Sequence, residues 1–196
     1  MSLPEHWAKP EDFAVLFQYF WHRDFPIDQN VAVGARRIDW TIHIGIIVRN
    51  IADLMGLVTR FERGGRKDAL LRSTDGDEVA IEWEWEGIEG GNELKKLKLH
   101  SGWPKGKELK YAVLITYTNS KNINDDYNTA KKYWGNENWP LLLILIESEK
   151  SKKFTVGRDF KNIKFHLIYK AKDTLLRTIP AVPWKIESSR WQERDK

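Results

Sequence analysis

Apolar residues recur at helical spacing in the N-terminal part of the chain. The repeat places five large side chains on one face of a helix over residues 11–21: Phe13, Leu16, Phe17, Phe20 and Trp21. A second helix is predicted over residues 39–55, because Asp39 can serve as its N-cap and Gly56 stands where a C′ glycine commonly ends a helix. Two amphipathic helices therefore precede the first strands.

The pattern changes after these helices to stretches typical of strands. Three of them follow one another, over residues 57–63, 67–73 and 78–86. Gly64-Gly65 separates the first two, and Thr74-Asp75-Gly76-Asp77, a strong hairpin signal, separates the last two. We expect a meander of three antiparallel strands.

Helices and buried strands alternate in the second half of the chain. A short helix over residues 93–99, capped by Asn92, and a helix over residues 125–134 are predicted among apolar strands at 111–117, 140–147 and 165–169. Strands separated by helices indicate partly parallel pairing. We therefore predict an α/β fold with a mixed central sheet flanked by helices, and a polar, poorly periodic tail over residues 180–196.

Length and composition favour one globular domain. A chain of 196 residues can bury one sizeable core but is short for two ordinary domains. We expect a single domain, 1–196, with a helical extension at 1–38, a core at 39–118, and an additional helix and strands at 119–196.

The cellular location can also be anticipated from composition. No signal peptide is evident, and no apolar run approaches the roughly 20 residues of a membrane-spanning helix. The chain has no cysteine, which excludes disulfides and thiolate chemistry. We expect a cytoplasmic protein without a membrane partner.

Charge is unevenly distributed along the chain. Residues 1–90 carry 10 Lys and Arg against 16 Asp and Glu, whereas residues 91–196 carry 22 against 12. An acidic and a basic half within one domain suggest a cation site beside a surface for a polyanion, although lysines that merely keep the surface hydrated give the same count.

The third predicted strand alternates strictly, with acids on one face. Glu82, Glu84 and Glu86 share that face, and same-face neighbours lie roughly 7 Å apart. Carboxylates in such a row repel one another, so a positive group is expected to meet them. A divalent cation is one candidate. The arginines of the neighbouring strands, Arg60, Arg63, Arg66 and Arg72, are the other.

The hairpin loop decides which residue faces Asp68. A three-residue loop, Thr74-Asp75-Gly76, pairs Ser73 with Asp77 and places Asp68 opposite Glu82, with both carboxylates on one face. A two-residue loop places Asp68 opposite Trp83 instead, because one residue of slip reverses every side chain.

These residues resemble the core motif of the PD-(D/E)xK nuclease superfamily. The matching elements are Asp68-Ala-Leu-Leu, the Asp75-Gly76 turn and Val79-Ala-Ile-Glu82-Trp-Glu84, within residues 39–118. The resemblance implies a restriction-endonuclease-like α-β-β-β-α-β core. It also implies that Asp68 and Glu82 hold Mg²⁺ or Mn²⁺, with Glu84 as a third ligand or as a group that orients the attacking water.

The motif lysine is replaced by Glu84 in this chain, and the usual proline before the aspartate is replaced by Lys67. Some members of the superfamily supply the lysine from a neighbouring element, and the following helix offers Lys95, Lys96 and Lys98 for catalysis or phosphate contact. The implied activity is metal-dependent hydrolysis of DNA. Three alternatives stay open: a nucleic-acid- or protein-binding module of the same fold without hydrolysis, an interaction protein without a metal, and RNA in place of DNA. The oligomeric state, including a homodimer, is open as well.

Aromatic and histidine side chains offer further alternatives. Tryptophans can stack nucleobases, but Trp40, Trp83 and Trp85 are predicted to point into the core. The histidines lack the spacing of zinc ligands, and His43 is expected to pack against the sheet.

Overall fold

The computed structural model describes residues 9–25, 37–63, 67–88, 91–99, 104, 108–150, 158–170 and 172–182. Within them the chain forms one seven-stranded sheet whose strands lie in sequence order. The three central strands run parallel, and the strands on both sides pair antiparallel. The predicted α/β class with a mixed sheet is confirmed.

The described residues form four helices and seven strands. The helices are α1 (Pro10–Arg23), α2 (Arg37–Leu54), α3 (Asn92–Lys98) and α4 (Ile123–Trp134). The strands are β1 (Val58–Arg63), β2 (Lys67–Ser73), β3 (Gly76–Glu84), β4 (Tyr111–Thr118), β5 (Leu141–Lys150), β6 (Arg158–Tyr169) and β7 (Lys172–Pro180). None of the helices in the described ranges is long and apolar enough to cross a membrane.

Each face of the sheet carries its own hydrophobic core. Along β4, Val113 and Ile115 belong to the core beneath α1 and α2, whereas Ala112 and Leu114 belong to the core beneath α3 and α4. All eight β4 residues are buried, because helices cover the central strands on both sides.

The helix ends differ in part from expectation. Gly56 takes the left-handed conformation, φ 66°, and the Leu57 N–H bonds to the Ala52 carbonyl, so the predicted C′ glycine is confirmed. The predicted caps Asp39 and Asn92 are wrong, because α2 already includes Arg37 and the cap of α3 is Gly91, with no side-chain cap bond.

Strand β7 was not predicted from the sequence. Its residues are mostly exposed or half-exposed, with Ile179 as its one buried residue, so the alternation that announces a strand is absent. It lies at the sheet edge beside β6, where backbone pairing holds it without a buried face.

An aromatic cluster joins α1 and α2 to the sheet. Trp21 stacks on Trp40 with ring centroids 5.6 Å apart, and its Nε1 donates to the Ala181 carbonyl at 2.7 Å. His43 was expected to pack against the sheet; its ring instead lies against Trp21 of α1, and burial lowers its pKa to about 4. The inward prediction holds for Trp40, which is buried, while Trp83 and Trp85 are half-buried against the same core.

Candidate functional site

The β2–β3 hairpin reaches the expected register by an unexpected route. Its turn holds only Thr74 and Asp75, so Ser73 pairs with Gly76, and the predicted pair with Asp77 is wrong. A β-bulge then shifts the register by one residue, since Leu71 pairs with Val79 whereas Arg72 pairs with Asp77.

The bulge corrects the alignment of the two acidic residues. Beyond the bulge Ala69 pairs with Ile81. The next position of the ladder therefore places Asp68 across from Glu82 rather than from Trp83. Leu70 and Ala80, two residues away on each strand, belong to the core beneath α3. Because side chains two apart on a strand share a face, both carboxyl groups project toward α3.

Glu82 is enclosed by protein on this face. Its exposed fraction is 0%, and its Oε2 accepts a hydrogen bond from Lys96 Nζ at 3.2 Å. Its Oε1 makes no hydrogen bond of normal geometry with the described residues. Burial, together with the negative charge of Asp68, raises the pKa of the Glu82 carboxyl to about 8, although the Lys96 ammonium and the Asp68 backbone N–H oppose the shift.

Asp68 is half-buried at the start of β2. Its Oδ2 accepts a hydrogen bond from the Trp83 backbone N–H at 2.8 Å. Burial raises the pKa of Asp68 to about 6, while that hydrogen bond and Lys96 pull it down. On the other side, β1 is distorted at Glu62, which has φ 51° between the pairs Phe61–Ala69 and Arg63–Lys67. Such a backbone conformation costs energy in a residue other than glycine, and it stands directly beside Asp68.

The structure separates the three candidate lysines of α3. Lys96 lies next to Glu82, and the charges of Glu82 and Asp68 raise its pKa against the opposing effect of partial burial. Lys95 is exposed with its Nζ 5.9 Å from the Tyr133 ring centroid. Lys98 forms an ion pair with Glu137 at 2.8 Å. Of the three, Lys96 is therefore the lysine that joins the carboxylate pair.

Glu84 lies where β3 leaves the sheet. Its Oε1 accepts from the Trp85 N–H at 2.7 Å and is 3.7 Å from Arg37 Nη2. A cavity of about 220 Å³ opens here, lined by Asp68, Glu84, Lys96, Arg37, Thr41 and three aromatic residues. The cavity gives access to Asp68 and Lys96, while Glu82 lies buried behind them and does not line it.

The arginines of β1 and β2 were the alternative partners for the acidic row. Arg72 instead bonds Asp77 at 2.6 Å, across the bulge. Arg66 and the side chain of Arg63 lie outside the described residues. Glu86, at the far end of the row, is exposed after the strand has ended.

Lys67 was not recognised from the sequence as part of the site. It is 1% exposed, and its Nζ donates to the Leu99 carbonyl, just past the end of α3, at 2.6 Å. Burial lowers its pKa, and the charges of Glu82 and Asp77 oppose that effect. A buried lysine at the position before Asp68 thus ties the hairpin to the helix that carries Lys96.

Asp68 and Glu82 offer carboxylate oxygens that suit a hard cation, but they are only two ligands. Within the described ranges, no group of three or more His, Asp or Glu side chains is arranged to hold a metal ion. Two carboxylates, one with an oxygen that is buried and unsatisfied, fit Mg²⁺ or Mn²⁺, which retain several waters and also bind substrate phosphates. Asp68 and Glu82 are the residues that would hold such an ion.

The stability of the protein in the absence of metal should fall as the pH rises. The folded-state pKa of Glu82, about 8, exceeds its ordinary value of 4.5, so its stabilising contribution is present below about pH 4.5 and lost as the pH rises through 8. Relative to wild type, Glu82→Gln should gain up to about 4 kcal/mol between about pH 5 and pH 8. Urea denaturation of both chains in EDTA measures the difference in their free energies of unfolding. If that difference were the same at pH 5 and pH 8, the raised pKa of Glu82 would be contradicted.

Comparison with known proteins adds nothing to this geometry: no protein-family model matches the chain, and no curated protein sequence or solved structure matches it significantly.

Proposed function

We propose that this protein is a metal-dependent nuclease-like hydrolase that cleaves phosphodiester bonds in DNA. The proposal extends the resemblance of Asp68 and Glu82 to the PD-(D/E)xK motif. The order α2-β1-β2-β3-α3-β4 is compatible with a restriction-endonuclease-like core. In this proposal Asp68 and Glu82 hold Mg²⁺ or Mn²⁺.

The observation that carries the proposal is the state of Glu82. A carboxylate with no exposed surface, an unsatisfied Oε1 and an acidic neighbour is costly to keep ionised. The Lys96 ammonium contacts only Oε2, and a leucine or glutamine would fit a buried strand at lower cost. A cation supplied from outside the chain would offset the charge.

The remaining groups have roles that follow from their positions. Lys96, next to both acids, can hold the substrate phosphate. Glu84, at the mouth of the cavity, can accept a proton from the attacking water and so orient it. A divalent cation held by Asp68 and Glu82 would lower the pKa of water and offset charge on the phosphoryl group. Water would add to phosphorus and give its proton to Glu84 as the P–O bond breaks, and the leaving oxygen would take a proton from solvent.

A non-catalytic module that binds nucleic acid or protein is the second candidate. The observation that favours it is the Lys96–Glu82 ion pair, because an ammonium group already stands beside the carboxylate that a cation would need. In this reading the charges of Lys96 and Glu82 balance each other, and the fold presents a surface without hydrolysis.

Titration calorimetry with Mg²⁺ and with Mn²⁺, followed by plasmid nicking, distinguishes the two candidates. The nuclease predicts saturable metal binding by the wild type, metal-dependent nicking, and loss of both in Glu82→Ala. Metal binding without nicking would support the module, and the absence of metal binding would refute the hydrolase.

Replacing Lys96 with methionine should separate substrate binding from metal binding. The change keeps the aliphatic stem but removes the ammonium that contacts Glu82, so cleavage should fall about 100-fold. Mg²⁺ affinity should stay equal or rise, because a competing positive charge is lost. Lys95→Met, the exposed neighbour over Tyr133, is the matched control and should change either quantity less than about threefold. A parallel loss of metal affinity in Lys96→Met would contradict this division of roles.

A further inference from the structure

A second cavity opens at the carboxyl ends of the three parallel strands. Its volume is about 390 Å³, and it lies where β3, β4 and β5 end. Crevices outside the carboxyl ends of parallel strands are common ligand sites, and pockets of roughly 300–1,000 Å³ accommodate small organic ligands. The proposed hydrolase chemistry makes no use of this cavity.

The second cavity adjoins the carboxylate site. Tyr117 lines both cavities, and its ring lies against Trp85 with centroids 4.6 Å apart. Just after β3 ends, the chain passes from Glu84, at the first cavity, to Glu86 and Gly87, at the second. Two residues of chain span at most roughly 7 Å, so a group bound in the second cavity lies close to a phosphate held at the first.

The floor of the second cavity is held rigid by buried polar groups. Asp126 accepts a hydrogen bond from the Ile88 N–H at 2.8 Å and another from the Thr118 hydroxyl. Gly87 takes φ 83°, and a Cβ there would stand 3.0 Å from both Asp126 carboxylate oxygens. Ser148, with no exposed surface, completes this floor. The loop after β3 is therefore built closely around Asp126.

The lining is rich in hydrogen-bond acceptors. Glu86, Asp126 and Glu149 face the cavity together with one ammonium group, that of Lys121, while Lys161 pairs with Glu149 from outside it. In the part of the chain that the structure describes, these carboxylates do not converge as a metal site. Acceptors spread around a rim fit a flat ligand whose N–H donors lie along an edge, and they repel phosphate.

We propose that the second cavity binds one unpaired nucleobase carrying an exocyclic amino group, next to the phosphate at the carboxylate site. Carboxylates accept hydrogen bonds from such amino groups, which cytosine has and thymine lacks. Tyr117, which lines both cavities and packs against Trp85, gives the ligand an apolar side where the two cavities adjoin. The inference rests on the proposed function in taking nucleic acid as the ligand, and it adds that the substrate is single-stranded or locally unpaired.

Fluorescence anisotropy with labelled oligonucleotides tests this inference. Oligocytidine and oligothymidine deoxynucleotides of about 12 residues are titrated in EDTA at slightly alkaline pH and constant salt. The wild type should bind the cytidine strand at least about fivefold more tightly. The double variant Glu86→Ala/Asn122→Ala removes one of the carboxylate acceptors and Asn122, another polar side chain of the lining. It should bring the ratio close to one without weakening binding of the thymidine strand. Glu11→Gln, an exposed glutamate on α1, controls for the lost charge.

The outcomes separate this inference from the proposed function. Equal affinities in the wild type, or a preference that survives the double variant, would overturn the base pocket even if Mg²⁺-dependent cleavage is observed. A preference lost in the double variant, without any cleavage, would support the pocket while the hydrolase fails. If neither strand binds, the base pocket is refuted, whereas Mg²⁺-dependent plasmid nicking still decides the hydrolase. A fully paired duplex of the same sequence should bind without the preference, because its bases are engaged in pairing.

Discussion

Glu82→Gln is expected to lower the rate of Mg²⁺-dependent DNA cleavage by about a thousandfold. The amide keeps the size of the side chain and one oxygen but loses the negative charge that a divalent cation needs. The saturable heat of Mg²⁺ binding should disappear in the same variant. Plasmid nicking under single-turnover conditions and titration calorimetry measure the two effects.

The Glu82→Gln experiment is informative because unfolding cannot imitate its result. Ionisation of Glu82 is unfavourable in the folded chain, so the amide should be at least as stable as the wild type at pH 8. Glu11→Gln, on the helix layer across the sheet, is the matched control and should cleave within about twofold of wild type. Full cleavage by a well-folded Glu82→Gln chain would exclude Glu82 as a ligand.

The meeting of Asp68 and Glu82 could be predicted, but its cause could not. Strict alternation in β3 and the turn signal indicated a hairpin that places both acids on one face only with a three-residue loop. The bulge was not visible in the sequence; its extra residue, Glu78, contacts Ser73 and Lys110 in the folded chain. The turn is one residue shorter than the three-residue loop, and the bulge adds one residue to β3. The two departures offset each other, so Asp68 still lies across from Glu82.

Sequence spacing alone could not show which lysine of α3 lies next to Glu82. Lys95, Lys96 and Lys98 were equivalent candidates in the sequence, because the orientation of a seven-residue helix over the sheet is set by tertiary packing. Leu94 and Leu97 are buried against the sheet, and this orientation turns Lys96 toward Glu82. Lys67 could not be recognised because a lysine beginning a strand is usually exposed, and only the position of the Leu99 carbonyl shows why it is buried.

The second cavity lay beyond reach of the sequence for a different reason. Its lining comes from the ends of β3, β4 and β5 and from the start of α4, which are separated along the chain. The polar residues after β4 are typical of an ordinary turn. Only the parallel pairing of β3, β4 and β5 brings Gly87, Asp126 and Ser148 to one place. The sequence predicted that some strands would pair in parallel but not which ones.

Trp21→Ala is expected to lower the free energy of unfolding by about 4–5 kcal/mol, near the upper end of what the loss of one core side chain costs. The indole has no exposed surface, contacts Phe17 and Trp40, and bonds the Ala181 carbonyl next to β7. Its removal opens a cavity beneath α1 and leaves a carbonyl without its partner. Urea denaturation of the variant and the wild type measures the difference.

A milder change at the same position keeps the Trp21 prediction testable if Trp21→Ala does not fold. Trp21→Phe retains aromatic packing but loses the indole N–H, so it should cost about 2 kcal/mol by urea denaturation. Mg²⁺ affinity should be unchanged, because the aromatic cluster and the carboxylate pair lie on opposite faces of the sheet. A loss below about 0.5 kcal/mol in Trp21→Phe would show that α1 is not anchored through this indole. A loss of metal affinity in a folded Trp21→Phe chain would show instead that the two faces are coupled through the central strands.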